Sequence, residues 1–197
     1  MKRVLSIQDI SCIGKCSLTV ALPIISAMGI ETSILPTSIL STHTMFNDFT
    51  FRDLTDDMEP IKKHWQKEGF SFDAIYTGYL GSEKQITLVK DYFKTFGNTC
   101  KYIIVDPAMA DNGKLYSGFD KDFPLKMAKL CKYADVILPN ISEAAFMTGM
   151  PYPGENASNE CIKDLLLSLA KLGSKKIVIT GVESADHKFG FMGYDSE

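Results

Sequence analysis

The groups best placed to do chemistry are polar residues that follow short apolar runs. Tyr102, Ile103, Ile104 and Val105 form a run too brief for a helix, and it halts at Asp106-Pro107, where proline removes the ladder donor. This predicts a buried strand ending in a carboxylate. In an open parallel sheet the ligand crevice lies outside the carboxyl ends of the strands, so Asp106 would stand at the rim of a site, before a polar, glycine-bearing loop. An Asp before Pro also caps turns, and by itself Asp106 supports either reading. Asp9, Gly78, Asn140 with Glu143, and Thr180 with Gly181 follow other short apolar runs in the same way. Gly78 and Gly81 flank Tyr79-Leu80, which suggests close backbone approach. His43 lies in a hydroxyl-rich segment over 37–50 whose Met45, Phe46 and Phe49 would be odd residues to leave in water.

Several chemistries are excluded. Gly14-Lys15 does not open a P-loop, because Asp9 stands where its first glycine is required and Cys16 where Ser or Thr should follow the lysine. Three dispersed histidines make no metal motif, and Cys12 and Cys16 have no second ligand pair to complete a zinc site. Five irregularly spaced cysteines fit reduced thiols rather than a disulfide framework. The net charge of -3, with Lys and Arg scattered, gives no footprint for nucleic acid. No apolar run reaches membrane-spanning length and the N-terminus has no signal-peptide core, so a cytoplasmic protein is expected.

The elements that must position these residues read as one α/β domain over the 197 residues. Strands are expected over 4–7, 31–35 (closed by Pro36), 73–77, 102–105, 134–138 and 176–180, with a final run over 188–194. Helices are expected between them. The first has an apolar pattern of Leu18, Ala21, Leu22, Ile25 and Met28 at three and four residue steps, interrupted by Pro23; others cover 53–67, the segment after the N-cap Ser82, 121–132, the segment opened by Asn140, and 161–172. Strands alternating with helices predict a doubly wound, mostly parallel sheet with Asp9, Gly78, Asp106, Asn140, Glu143, Thr180 and Gly181 along one edge. An acid in the first turn of a helix, as Glu143 would be, contributes only ~0.3 to 1 kcal/mol through the helix dipole.

IQD near the start, STHT over 41–44, TGYLGS over 77–82, VDPAM over 105–109, PNISEAAFMTG over 139–149 and KIVITG over 176–181 occur in the order and rough spacing of the pyridoxal and pyridoxamine kinases. The chain resembles these members of the ribokinase-like superfamily over essentially its whole length. The resemblance implies ATP-dependent phosphorylation of the 5'-hydroxymethyl of pyridoxal, pyridoxamine or pyridoxine, with Mg2+ and, in the complete enzyme, a homodimer. Asp9 stands where many of these kinases carry a serine that touches the pyridine ring. Thr44 matches the threonine that binds the vitamin, with His43 before it, and Tyr79 matches the tyrosine of the GYLGS segment. Asp106 and Glu143 match acids associated with magnesium and the ATP phosphates, Asn140 completes Asn-x-x-Glu, Tyr116 resembles a flap tyrosine, and Thr180 and Gly181 match the start of a nucleotide-binding segment. One or two carboxylates suffice for magnesium held against phosphates, since the ion keeps several waters.

The family also carries a Gly-Thr-Gly-Asp type segment whose amides form an anion hole and whose aspartate is the base. These 197 residues contain none, and Asp195 lacks the glycines needed to replace it. The expectation is therefore a chain truncated at its C-terminus, with no catalytic base, inactive and either self-associating or marginally stable. Hydroxymethylpyrimidine kinase, on the same fold, and a non-catalytic vitamin- or nucleotide-binding remnant are the alternatives.

Overall fold

Strand β1 spans Arg3–Ser11, well past the apolar run that announced it, because Ser6, Gln8, Asp9 and Ser11 are buried along with Leu5 and Ile7. The structure, a computed structural model, describes residues 1–154, 157–183 and 188–196, and these fall into two compact units, Met1–Ile103 and Ile104–Glu197.

In the first unit β1 pairs in parallel with β2 (Glu31–Leu40) on one side and β4 (Ala74–Thr77) on the other, while β3 (Phe51–Asp53) runs antiparallel to β2. Pro36 does not close β2, contrary to the sequence expectation. It stands opposite Gln8, just before a register shift in which Thr37 and Ser38 together oppose Asp9, and a proline's missing donor is tolerated beside such a bulge. The loop expected over 37–50 is accordingly shorter, since its first residues belong to β2.

Helix α1 (Leu18–Ala27) buries Leu18 and half-buries Ala21 and Ile25 of the expected pattern, while Leu22 and, past the helix end, Met28 are exposed. Helix α2 (Thr55–Lys67) buries Met58, and α3 (Glu83–Phe96) is capped by the Ser82 hydroxyl accepting from Gln85 N, with Ile86, Val89 and Phe93 in the core as their spacing requires. The two helices are joined by Tyr92, fully buried, whose hydroxyl donates to Met58 O at 2.7 Å.

In the second unit β5 (Tyr102–Val105) pairs in parallel with β8 (Val136–Ile137), and β8 with β9 (Lys176–Glu183). Strand β10 (Phe189–Asp195) is antiparallel to β9, as the short connection between them requires. Strand β9 continues through Gly181, which sits at φ 70 and has no partner in the register, a glycine bulge that the sequence reads as a strand end. The polar loop after Asp106 is a hairpin of β6 (Ala110–Asp111) and β7 (Lys114–Leu115), its Asn112-Gly113 turn having positive φ at both positions. Helices α4 (Phe123–Cys131), α5 (Ile141–Thr148) and α6 (Asn159–Lys171) complete the unit. The architecture is α/β with mostly parallel strands, as expected, and no helix among the described residues is long and apolar enough to cross a membrane.

Candidate functional site

The expected site residues form two constellations, one in each unit. In the second unit β5 delivers Asp106, half-buried, and the chain then turns through Pro107 to Met109. Glu143, in the first turn of α5, is only 3% exposed and uses both carboxylate oxygens: Oε1 accepts from Met109 N at 3.1 Å and Oε2 from Asn140 N at 2.8 Å. Asn140 Oδ1 in return accepts from Glu143 N at 2.9 Å, completing a capping box, and Asn140 Nδ2 donates to Ala110 O at 2.8 Å. Asn140 and Glu143 thus bind the chain after Asp106 to the start of α5. Burial pushes the Glu143 carboxyl well above its usual range, and the Asp106 charge adds to the effect. The small dipole contribution expected for Glu143 is corrected here, because a buried acid holding two amides does much more than complement a helix end.

Thr180 joins this constellation. Its amide donates to Pro139 O at 2.9 Å, and it is bridged to Asn140. A cavity of about 320 Å3 opens beside them, lined by Asn140, Ser142, Tyr152, Thr180, Gly181 and Glu183 among others. Asp106, Tyr116 and Glu143 are not among its lining residues; Tyr116 is half-buried after β7, where its amide donates to Met109 O at 2.9 Å.

Sequence reasoning missed two residues of this wall. The Ser142 hydroxyl accepts from Gly113 N at 2.8 Å, and the Tyr152 ring packs so closely on Gly113 that a Cβ there would lie 2.5 Å from its Cδ1. The Asn112-Gly113 dipeptide was the available signal, since it favours a two-residue hairpin turn. Asp195, at the end of β10, accepts from Lys176 Nζ at 2.8 Å and is half exposed.

A metal fits the donor set of this unit. Asp106 and Glu143 set two carboxylate charges close enough to interact, and a hard cation would offset that repulsion. Among the described residues no group of three or more ligating side chains gathers, so any cation would complete its shell with phosphate and water.

In the first unit Asp9 is 4% exposed within β1 rather than at its tip, and Ser11 Oγ donates to Asp9 Oδ2 at 3.1 Å. Burial raises the Asp9 carboxyl above its usual range, against the pull of hydrogen bonds from Ser17, Ser11 and its own backbone. Tyr79 is half-buried, its phenol pushed up by burial and by the Asp9 and Asp53 charges, and its carbonyl accepts from Thr37 Oγ1 at 3.2 Å. The close approach expected at Gly78 is made by a neighbour: a Cβ there would lie 2.8 Å from Gln8 Oε1. Gln85, buried, draws this corner together through its amide, donating to Thr37 O and Thr55 Oγ1 at 2.9 Å each and accepting from Gly81 N at 2.8 Å. His43 ties its loop to the segment after β1: Nδ1 accepts from Met45 N at 3.3 Å, the ring packs on Phe46 with centroids 4.8 Å apart and against Gly14, and the amide donates to Ile13 O at 3.2 Å. Thr44, next to it, is exposed.

The sequence profile of the phosphomethylpyrimidine kinase family matches residues 31–192. Among solved structures, the chain is similar to a Bacteroides thetaiotaomicron protein, provisionally named a phosphomethylpyrimidine kinase and crystallised with pyridoxal. The likeness has 40% identity and a TM-score of 0.93 over 100% of this chain and 69% of that one. It is also similar to a pyridoxal kinase from Lactobacillus plantarum, at 33% identity and a TM-score of 0.85 over 99% of this chain and 73% of that one. A curated relative, the pyridoxal kinase PdxY of Actinobacillus pleuropneumoniae, is 27% identical over 188 residues, which are 91% of this chain and 63% of that protein. The chain's matches span between 35% and 63% of the length of its curated relatives.

Proposed function

Because the chain belongs to the phosphomethylpyrimidine kinase family of ribokinase-like proteins, we propose that it binds a B6 vitamer and magnesium-ATP as partners in phosphoryl transfer to the vitamer's 5'-hydroxymethyl. The observation that carries this reading is the Asn140–Glu143 capping box, which holds the chain after Asp106 against the start of α5, beside a cavity bounded by Thr180 and Gly181. Phosphoryl transfer depends on positioning and on neutralising charge, and a helix N-terminus favours the anionic phosphates. Asp106 would hold the magnesium ion, which when bound supplies charge neutralisation on those phosphates. Glu143 and Asn140 fix the backbone that carries Asp106, while Ser142, Tyr152, Thr180 and Gly181 would bound the nucleotide. Tyr116 would cover it from the hairpin.

The vitamer is assigned to the first unit, with Asp9 and Tyr79 as its polar partners and Thr44 reaching it from the loop that His43 braces. No residue of this sequence is assigned as the base toward the 5'-hydroxyl, because none of its 197 residues forms a Gly-x-Gly-Asp segment. The reading therefore expects both ligands to bind and transfer by this chain to stay at background. A cytoplasmic location and a homodimeric assembly belong to the same reading.

Hydroxymethylpyrimidine kinase is the second reading, favoured by the family description itself. Calorimetric titration with pyridoxal, with hydroxymethylpyrimidine and with magnesium-ATP, followed by a turnover assay, tests the proposal. Pyridoxal binding tighter than the pyrimidine alcohol is the expected result. The reverse order transfers the chain to the second reading, and turnover at ordinary enzymatic rates would show that another residue serves as base.

A further inference from the structure

Asp9 is a buried carboxylate on which no cation acts among the described residues. The groups that act on it are the Ser17 and Ser11 hydroxyls and its own backbone. Burying an unpaired charge is costly, so such a group either keeps a proton or awaits a positive partner.

Three independent features surround it. The bulge in β2 sets Thr37 and Ser38 against Asp9 alone, and bulges of this kind re-aim side chains next to functional sites. The Ser38 hydroxyl is buried without a hydrogen-bond partner, and so is that of Thr77, which stands opposite Ile7 and therefore on the strand face that Asp9 continues. Finally, Ser17 is held at φ 53, ψ -131 before α1, yet its side chain makes no cap bond to the helix it precedes, and Lys15 is also at positive φ. Backbone strain of this sort persists where the surroundings over-determine it, and it clusters at ligand sites.

We propose that Asp9 is a specificity-determining residue that makes this half-site select a cationic vitamer, taking the aminomethyl ammonium of pyridoxamine in preference to the near-isosteric hydroxymethyl of pyridoxine. The inference rests on the B6 reading above. An ammonium donates charge-assisted hydrogen bonds to a carboxylate and cancels its buried charge, whereas a hydroxymethyl group donates one neutral bond and leaves the charge in place. The orphan hydroxyls of Ser38 and Thr77 remain for neutral substituents of the ring.

The test is calorimetric titration of the 197-residue chain at neutral pH with pyridoxamine and with pyridoxine. Pyridoxamine should bind tighter by about tenfold or more, the difference between a charge-assisted and a neutral hydrogen bond. In Asp9→Asn the two affinities should converge, through loss of pyridoxamine binding. If Asp9→Asn does not fold, Asp9→Ser takes its place, and the ratio in the parent chain already decides the matter. Equal affinities in the parent, or a preference that survives both substitutions, overturn the inference and leave the B6 reading intact. Absence of binding by pyridoxamine, pyridoxine and pyridoxal alike overturns the B6 reading and the inference with it.

Discussion

Asp9 and Glu143 are both buried acids, but they differ in what they hold, and their substitutions should differ accordingly. Burial raises the Asp9 pKa above the ordinary 3.8, so the native state takes up a proton more readily than the unfolded chain. The stability of the protonated form is full below the unfolded value and is lost as pH rises through the folded one. Asp9→Asn cannot ionise, so at pH 7 it should melt above the parent, and the gap should close as pH falls through the raised pKa. The Asp9 and Asp53 charges both act on Tyr79, and neither is a cation that would reverse the sign. Calorimetric melting across the acid range checks this, and a variant less stable at pH 7 would show that the Asp9 charge is compensated. Glu143→Ala should behave in the opposite way. It strands the amides of Met109 and Asn140 in a buried place, and urea unfolding should show a loss of about 1 to 3 kcal/mol. A loss near zero would mean that the amides find other partners.

The β6–β7 hairpin is tied to α5 by the Asn140 side-chain amide donating to Ala110 O and by its turn. Its turn is seated by the Gly113 amide on Ser142 and by the Gly113 α-carbon against Tyr152. Gly113→Ala should destabilise the chain by roughly 1 to 2 kcal/mol for the left-handed conformation at φ 70, with more for displacing the ring. In a Tyr152→Ala background the ring contribution disappears, so the same substitution should cost less there. Equal costs in the two backgrounds, read by urea unfolding, would separate the turn from Tyr152. Between α2 and α3, Tyr92→Phe removes the hydroxyl that donates to Met58 O, and a loss of about 1 kcal/mol is expected in the same measurement.

Across the whole molecule, each unit exposes large apolar side chains. The first unit shows Leu22, Ile24 and Met28 on a helix that contains no charged residue. The second shows Phe189 and Phe191, 79% and 74% exposed on the same face of β10. Sedimentation velocity should therefore find a self-associating species that shifts toward monomer in Phe191→Ser or in Ile24→Ser. The substitution with the larger shift identifies the patch in use, and a monodisperse parent monomer would show that neither is.

Periodicity and punctuation made most elements legible: the run at 102–105, the Ser82 cap, the core face of α3 and the Asn-x-x-Glu start of α5 all stand where local chemistry requires them. These signals are local because caps, turns and strand ends are decided by residues within four positions of one another. Pairing decided the rest. Pro36 and Gly181 read as strand ends but lie inside strands, since a bulge absorbs the missing donor in one case and the positive φ in the other. Along the apolar pattern of α1 Leu18 is buried and Leu22 exposed, a difference that periodicity does not carry and only packing decides. The site divides in the same way. Motif order singled out Asp106, Asn140, Glu143 and Thr180, but spacing along the chain could not reveal that Glu143 spends both oxygens on backbone amides, that Ser142 and Tyr152 seat a hairpin, or that Asp9 lies buried with only hydroxyls and its own backbone acting on it among the described residues. Burial and partnership arise between segments far apart in sequence, so the tertiary structure alone decides whether an acid faces water, a backbone amide or a hydroxyl.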